Sequence, residues 1–169
     1  MTQGKRIVVL GVGNILLSDE GMGVHAVNAL EQRYDLPPDV EVIDGGTSAM
    51  DCLDQIAECH LLVIADCMRS GAAPGVLKRI AGDDLQAFFR TKISPHQVGV
   101  CDVLATLAVH GLTPARVVLI GIEPKSLALG LEPTPELAAR LPSMVEVLAA
   151  EINGFGLTLQ SRESRDAAE

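Results

Sequence analysis

Ile7-Val8-Val9-Leu10-Gly11-Val12-Gly13-Asn14-Ile15-Leu16-Leu17-Ser18-Asp19-Glu20-Gly21 is the stretch that decides the fold. A run of four apolar residues, three of them β-branched, enters a turn punctuated by glycine, and residues 22–32 read as a helix. Strand, loop and helix in that order open an α/β unit. Gly11-x-Gly13 invites a dinucleotide reading, but that fingerprint needs a third glycine, and the position holds Leu16. Asp44, ending the next strand, could mimic the ribose-binding acid, yet two carboxylates in the first loop oppose a pyrophosphate. No Gly-Lys-Ser/Thr follows, so the Walker pattern fails. The loop is built to present an acid at the carboxyl end of a strand, where open α/β sheets bind their ligands.

The 169 residues suffice for one domain with a substantial core. Apolar residues make up 48% but aromatics only 2%, so that core must be aliphatic. A net charge of −9 argues against nucleic acid or an anionic membrane surface as partner. No apolar run approaches a membrane span, and the N-terminus lacks a secretory signal, so the expected location is cytoplasmic. Cys52, Cys59, Cys67 and Cys101 form no C-x-x-C pair and are expected to be reduced and mostly buried.

Along the chain, Val24, Val27 and Leu30 give the first helix a core-facing stripe, and His25 sits in its first turn as a surface or capping group. Residues 40–43 form a strand ending in Asp44-Gly45-Gly46-Thr47, with Thr47 or Ser48 expected to cap a helix over 49–58. Residues 60–65 are a continuous apolar run, the pattern of a strand buried on both faces, and stop at Asp66. A strand over 76–80 and a short helix over 84–90 follow. Pro95 stiffens a loop that carries His96, ahead of a helix over about 100–110. Residues 117–122 form the last strand, ending at Glu123-Pro124, and a helix starts at Thr134-Pro135-Glu136. The order predicts an α/β protein: a three-layer α/β/α sandwich with a mostly parallel, twisted, five-stranded sheet. Residues 1–153 are expected to form the single domain, and the polar residues 154–169 a disordered tail.

Three loops thus converge on one edge of the sheet, bringing Glu20, Asp66 and His96. Two hard oxygens and an imidazole suit Zn, Ni, Mn or Fe and leave positions open for an exchangeable ligand. A Cys67 nucleophile with His96 as base is disfavoured, because the Asp66 carboxylate raises the thiol pKa. Neither H-E-x-x-H nor G-x-S-x-G occurs.

Gly11-Val-Gly-Asn-Ile-Leu-Leu-Ser-Asp19-Glu20-Gly21, Asp44-Gly45-Gly46-Thr47, Ile64-Ala65-Asp66 and Ser94-Pro95-His96-Gln97 together resemble the nickel–iron hydrogenase maturation endopeptidases. The similarity runs in order from about residue 5 to residue 150. It implies an enzyme that removes a C-terminal extension from a hydrogenase large-subunit precursor after nickel insertion. It places the metal-contacting groups at Glu20, Asp66 and His96, and associates Asp44, Gly45, Gly46 and Thr47 with substrate recognition or cleavage. The metal is then nickel carried by the substrate, with no tightly bound cofactor of the protease's own expected. Either the metal polarises the scissile carbonyl or a water with Asp44 or Asp66 as base, or the site only positions the peptide. The rival expectations are a nickel-dependent chaperone that recognises the loaded precursor without cutting it, and a nucleotide-binding domain.

Overall fold

The computed structural model describes residues 5–91 and 95–163, with residues 91 and 95–98 described by backbone alone. Strand β1 (Ile7–Val12) is completely buried and lies parallel between β3 (Val40–Gly46) and β4 (Leu61–Cys67). Strand β6 (Val117–Ile122) pairs parallel with β4, and β5 (Leu77–Ala81) closes the far edge antiparallel. The order is β3-β1-β4-β6-β5, the mostly parallel five-stranded sheet expected from the strand and helix alternation. Alternate residues of β1 serve the two faces. Ile7 and Val9 join one core with helices α1 (Met22–Arg33) and α6 (Leu141–Gly154); Val8, Leu10 and Val12 join the other with α4 (Pro95–Val109). Val24, Val27 and Leu30 are buried, as are Met144, Val145, Leu148 and Ile152, so the helical stripes face the sheet.

Several elements differ from their expected bounds. The helix expected over 49–58 is a 310 turn (Ala49–Cys52) followed by the single turn α2 (Leu53–Ile56), and neither Thr47 nor Ser48 caps it by a side chain. Helix α3 spans Asp83–Thr91. Helix α4 starts at Pro95 rather than near residue 100. Proline at a first helical position loses no hydrogen bond and brings a preset φ, so Pro95 starts a helix where a stiff loop was expected. The backbone of His96 therefore lies in the first turn of α4. The helix expected from Thr134 is two pieces, α5 (Pro135–Ala138) and α6, the second with its own early proline at Pro142.

The expected tail also starts too early. Leu159 is buried against the core, and β7 (Gln160–Ser161) pairs antiparallel with β2 (Tyr34–Asp35). The Asn153 side chain accepts from Leu159 N–H at 2.9 Å, folding residues 155–159 back. Periodicity fades there because one short bridge, not a helix, holds the segment; residues 164–169 lie outside the described residues. No helix among the described residues is long and apolar enough to cross a membrane.

Helix α1 rests on the sheet through Gly23. A Cβ there would lie 2.2 Å from the Ala65 carbonyl oxygen and 2.5 Å from that of Val12. The close-packing glycine missing at Leu16 is thus supplied seven residues later, inside the helix. Gly23→Ala is expected to destabilise the protein by about 3 kcal/mol, because backbone rather than a mobile side chain must move; urea unfolding measures it.

Candidate functional site

Strands β1, β4 and β6 all end at one edge, and every sequence candidate whose side chain is described lies there. Glu20 sits in a 310 turn (Ser18–Gly21) packed against β4. Gly13, at φ +140°, makes that placement possible: a Cβ on it would lie 2.0 Å from the Glu20 carbonyl oxygen. The glycine that looked like part of a phosphate loop leaves room for the acid-bearing turn. Ser18 holds φ 52°, a conformation costly for a side chain, and is pinned by two bonds. Its N–H donates to the Gly130 carbonyl at 2.8 Å and its hydroxyl to the Ala128 carbonyl at 2.7 Å.

Asp19, fully buried, anchors the same turn from below. Its carboxylate accepts from Lys125 N–H and Ser126 N–H at 2.9 Å, and from Thr134 N–H at 2.7 Å and the Thr134 hydroxyl at 2.9 Å. Thr134, expected as a helix cap, spends its hydroxyl here. Asp19 was visible in the sequence only as one of two adjacent acids. Nothing local told that it points inward while its neighbour serves the edge, because its partners lie more than a hundred residues away.

Asp66 is the penultimate residue of β4, with its side chain buried, and its Oδ1 has no hydrogen-bond partner among the described residues. Burial pushes its pKa well above the ordinary carboxylate value of 3.8; the Cys67 N–H opposes the shift and the charge of Glu20 adds to it. The 310 turn that carries Glu20 packs against β4, the strand that carries Asp66. The side chain of His96 lies outside the described residues. Among the described residues no group of three His, Cys, Asp or Glu could hold a metal ion.

Asp44 is exposed at the end of β3, and its Oδ1 accepts from Gly46 N–H at 3.0 Å. The Gly46 carbonyl accepts from Gly13 N–H at 2.9 Å, so the glycine pair is stitched to the first loop. Asp44, Gly46 and Thr47 line a cavity of about 330 Å³ that Asn14, Ile15 and Leu16 close from the other side. Gly45 is buried beneath, against Leu10.

Cys67 and His25 lie on the same edge, while His60 precedes β4 at its opposite end. Burial, then the charges of Asp66 and Glu20, push the Cys67 thiol far up, which removes it as a nucleophile at neutral pH. His60 Nδ1 accepts from Arg6 N–H at 3.1 Å. His25 is half-buried, with an Nε2 that has no partner among the described residues, close under Gly21.

Glu123, at the end of β6, accepts from Ser70 N–H and the Ser70 hydroxyl, both at 2.7 Å, and from Ala72 N–H at 3.4 Å. Burial alone pushes its pKa up; the donors at Ser70, Ala72 and Gly71 outweigh it and hold the carboxyl below its ordinary 4.5. A depressed folded pKa means that this stability is present above the unfolded value and is lost as pH falls through the folded one. Glu123→Gln is expected to cost about 1–2 kcal/mol at pH 7. The gap from wild type should narrow below about pH 4; urea titrations at the two pH values measure it.

A model of the HycI hydrogenase maturation protease family matches residues 24–151. The chain is 48% identical over 148 residues to the hydrogenase 2 maturation protease of Escherichia coli, covering 86% of this chain and 90% of that one. It is 34% identical to the hydrogenase expression/formation protein HupD of Thiocapsa roseopersicina, over 96% and 75% of the two chains. Its fold superposes on the hydrogenase maturating endopeptidase HybD of E. coli with a TM-score of 0.89 at 42% identity, covering 94% of this chain and 99% of that one. The maturation protease HybD of Thermococcus kodakarensis follows with 0.73 at 26% identity, over 85% and 96%. With Glu20 and Asp66 on the carboxyl edge of a fold shared along nearly its whole length, the chain belongs to the hydrogenase maturation protease family and is an endopeptidase.

Proposed function

We propose that this endopeptidase removes the C-terminal extension of a nickel–iron hydrogenase large-subunit precursor after nickel insertion, and that it senses the substrate's nickel through Glu20, Asp66 and His96. The observation that carries the reading is the Asp66 Oδ1, buried and without a hydrogen-bond partner among the described residues, beside the acid of Glu20. A buried carboxylate with unused acceptor capacity is costly alone and is relieved by a cation. Oxygen ligands suit a divalent metal, and an imidazole from His96 would complete a set that nickel accepts. The protease needs no resident metal on this reading. A precursor that lacks nickel has nothing to offer the acids, so cleavage follows the difference in affinity between the two precursor forms.

The hydrolytic step needs a base with access to water. Asp66 is buried, whereas Asp44 is exposed on the cavity that adjoins the first loop. We assign the base role to Asp44: it takes a proton from the water that attacks the scissile carbonyl, while the substrate's metal and the Glu20–Asp66 pair hold the peptide in place. Gly46 and Thr47, on the cavity wall, then face the substrate backbone, with Gly45 packed beneath them.

Incubation with a hydrogenase large-subunit precursor, with and without nickel, followed by intact-mass measurement, is expected to show peptide loss only from the loaded form. Equal cleavage of both forms would sink the sensing step, and cleavage of neither would sink the reading itself. Glu20→Gln is expected to slow processing ~10–100-fold or more by loss of a metal contact. Asp44→Asn is expected to slow it by about 100-fold with precursor binding retained, and full activity would exclude Asp44 as base.

A further inference from the structure

Seven large apolar side chains are exposed among the described residues, and they are not scattered. Ile15, Leu16, Val76, Leu129 and Leu131 lie on loops at the carboxyl edge of the sheet, and Met50 lies in the 310 turn that follows β3; Val109 alone lies at the opposite edge, at the end of α4. Four of the six are joined into one rim. The Leu16 carbonyl accepts from Gly130 N–H at 3.0 Å, and the Gly130 carbonyl accepts from Ser18 N–H at 2.8 Å. Leu17 and Gly130 form a parallel bridge. Leu129 (87% exposed) and Leu131 (65%) flank that bridge on one side, and Leu16 (54%) and Ile15 (44%) continue it on the other. The rim is held rigidly, because the loop bearing Leu129 and Leu131 is clamped at both ends by Asp19 through Lys125, Ser126 and Thr134. Ile15 and Leu16 also line the cavity that ends at Asp44.

Solvent-exposed leucines on a rigid, pinned loop gain nothing in the free protein, and contiguous apolar surface of this kind marks a protein interaction site. We propose that the rim of Ile15, Leu16, Leu129 and Leu131 seats the protein substrate, holding an aliphatic stretch of the precursor next to the bond that is cut. The inference rests on the cleavage reading above and names the contact that reading leaves unassigned. The occupant is argued from continuity: the rim reaches Glu20 through three residues of chain and Asp44 across the cavity, so whatever covers it also lies over the acids. A second copy of this chain on the same face would close the cavity that leads to Asp44. Division of labour follows. The acids select a cation-bearing partner by charge, and the rim supplies the nonpolar contact that charge alone cannot.

The test compares wild type with Leu129→Ser/Leu131→Ser, with Ile15→Ser/Leu16→Ser, and with Val109→Ser as an equally exposed control on the far edge. Binding of nickel-loaded precursor to each immobilised protein is measured by surface plasmon resonance, and KM for cleavage in parallel. Both rim variants are expected to bind at least tenfold more weakly and to show a matching rise in KM, about 1.4 kcal/mol, with Val109→Ser unchanged. Unfolding temperatures should match wild type, since the side chains lie outside the core. Rim variants that bind as wild type does would overturn the proposal. So would sedimentation showing a wild-type dimer that Leu129→Ser/Leu131→Ser dissociates, because the rim would then belong to a second copy. Wild-type protein that binds the precursor but never cuts it defeats the cleavage reading, and the binding comparison still decides the rim.

Discussion

The carboxyl edge of this protein depends on one buried carboxylate. Asp19 takes four donors from the far end of the chain and exposes none of its surface. A charge removed from water in this way is tolerated only because its acceptor sites are filled by donors, three of them backbone N–H groups of the segment after β6. The bonds do two things at once. They fix the loop over residues 125–134 against the first loop, and they fix the turn in which Glu20 follows Asp19. Neither the first acid nor the apolar rim would have a defined position without them.

The same sheet edge carries an unsatisfied carboxylate as well. Asp66 is the penultimate residue of a strand buried on both faces and retains an oxygen with no donor among the described residues. The fold thus treats neighbouring acids in opposite ways, one locked by hydrogen bonds and one left with spare acceptor capacity in a dry place. Glu123 repeats the first treatment at the end of β6, and Asp44, exposed on its cavity, is a third case. This spread of environments along one sheet edge gives carboxylates of identical chemistry different solvation and different hydrogen-bond satisfaction.

Much of the fold was legible because its signals are local. Continuous apolar runs mark strands, helical stripes mark the layers, and an antiparallel fifth strand fits a mostly parallel sheet. The bounds that moved did so where tertiary contacts compete with local preference. Pro95 reads equally well as a loop stiffener and as the first residue of a helix. Thr134 reads as a cap until Asp19 claims its hydroxyl. Residues 155–161 have no periodicity, yet a two-residue bridge and one buried leucine, Leu159, hold them to the core.

The sequence by itself determined which chemistry is available and on which edge it gathers. Strand ends followed by Glu20, Asp44 and Asp66 can be read directly, since chain polarity puts the ends of parallel strands on the same side. Only the tertiary structure decided the environment of each acid there. Burial and hydrogen-bond partners depend on segments up to 115 residues apart in the chain, and no local pattern encodes them. The glycines of the opening stretch show the same division. Their presence announced a close approach, but whether the approaching group was a phosphate or the backbone of Glu20 was settled by packing, by the 2.0 Å that a Cβ on Gly13 would leave.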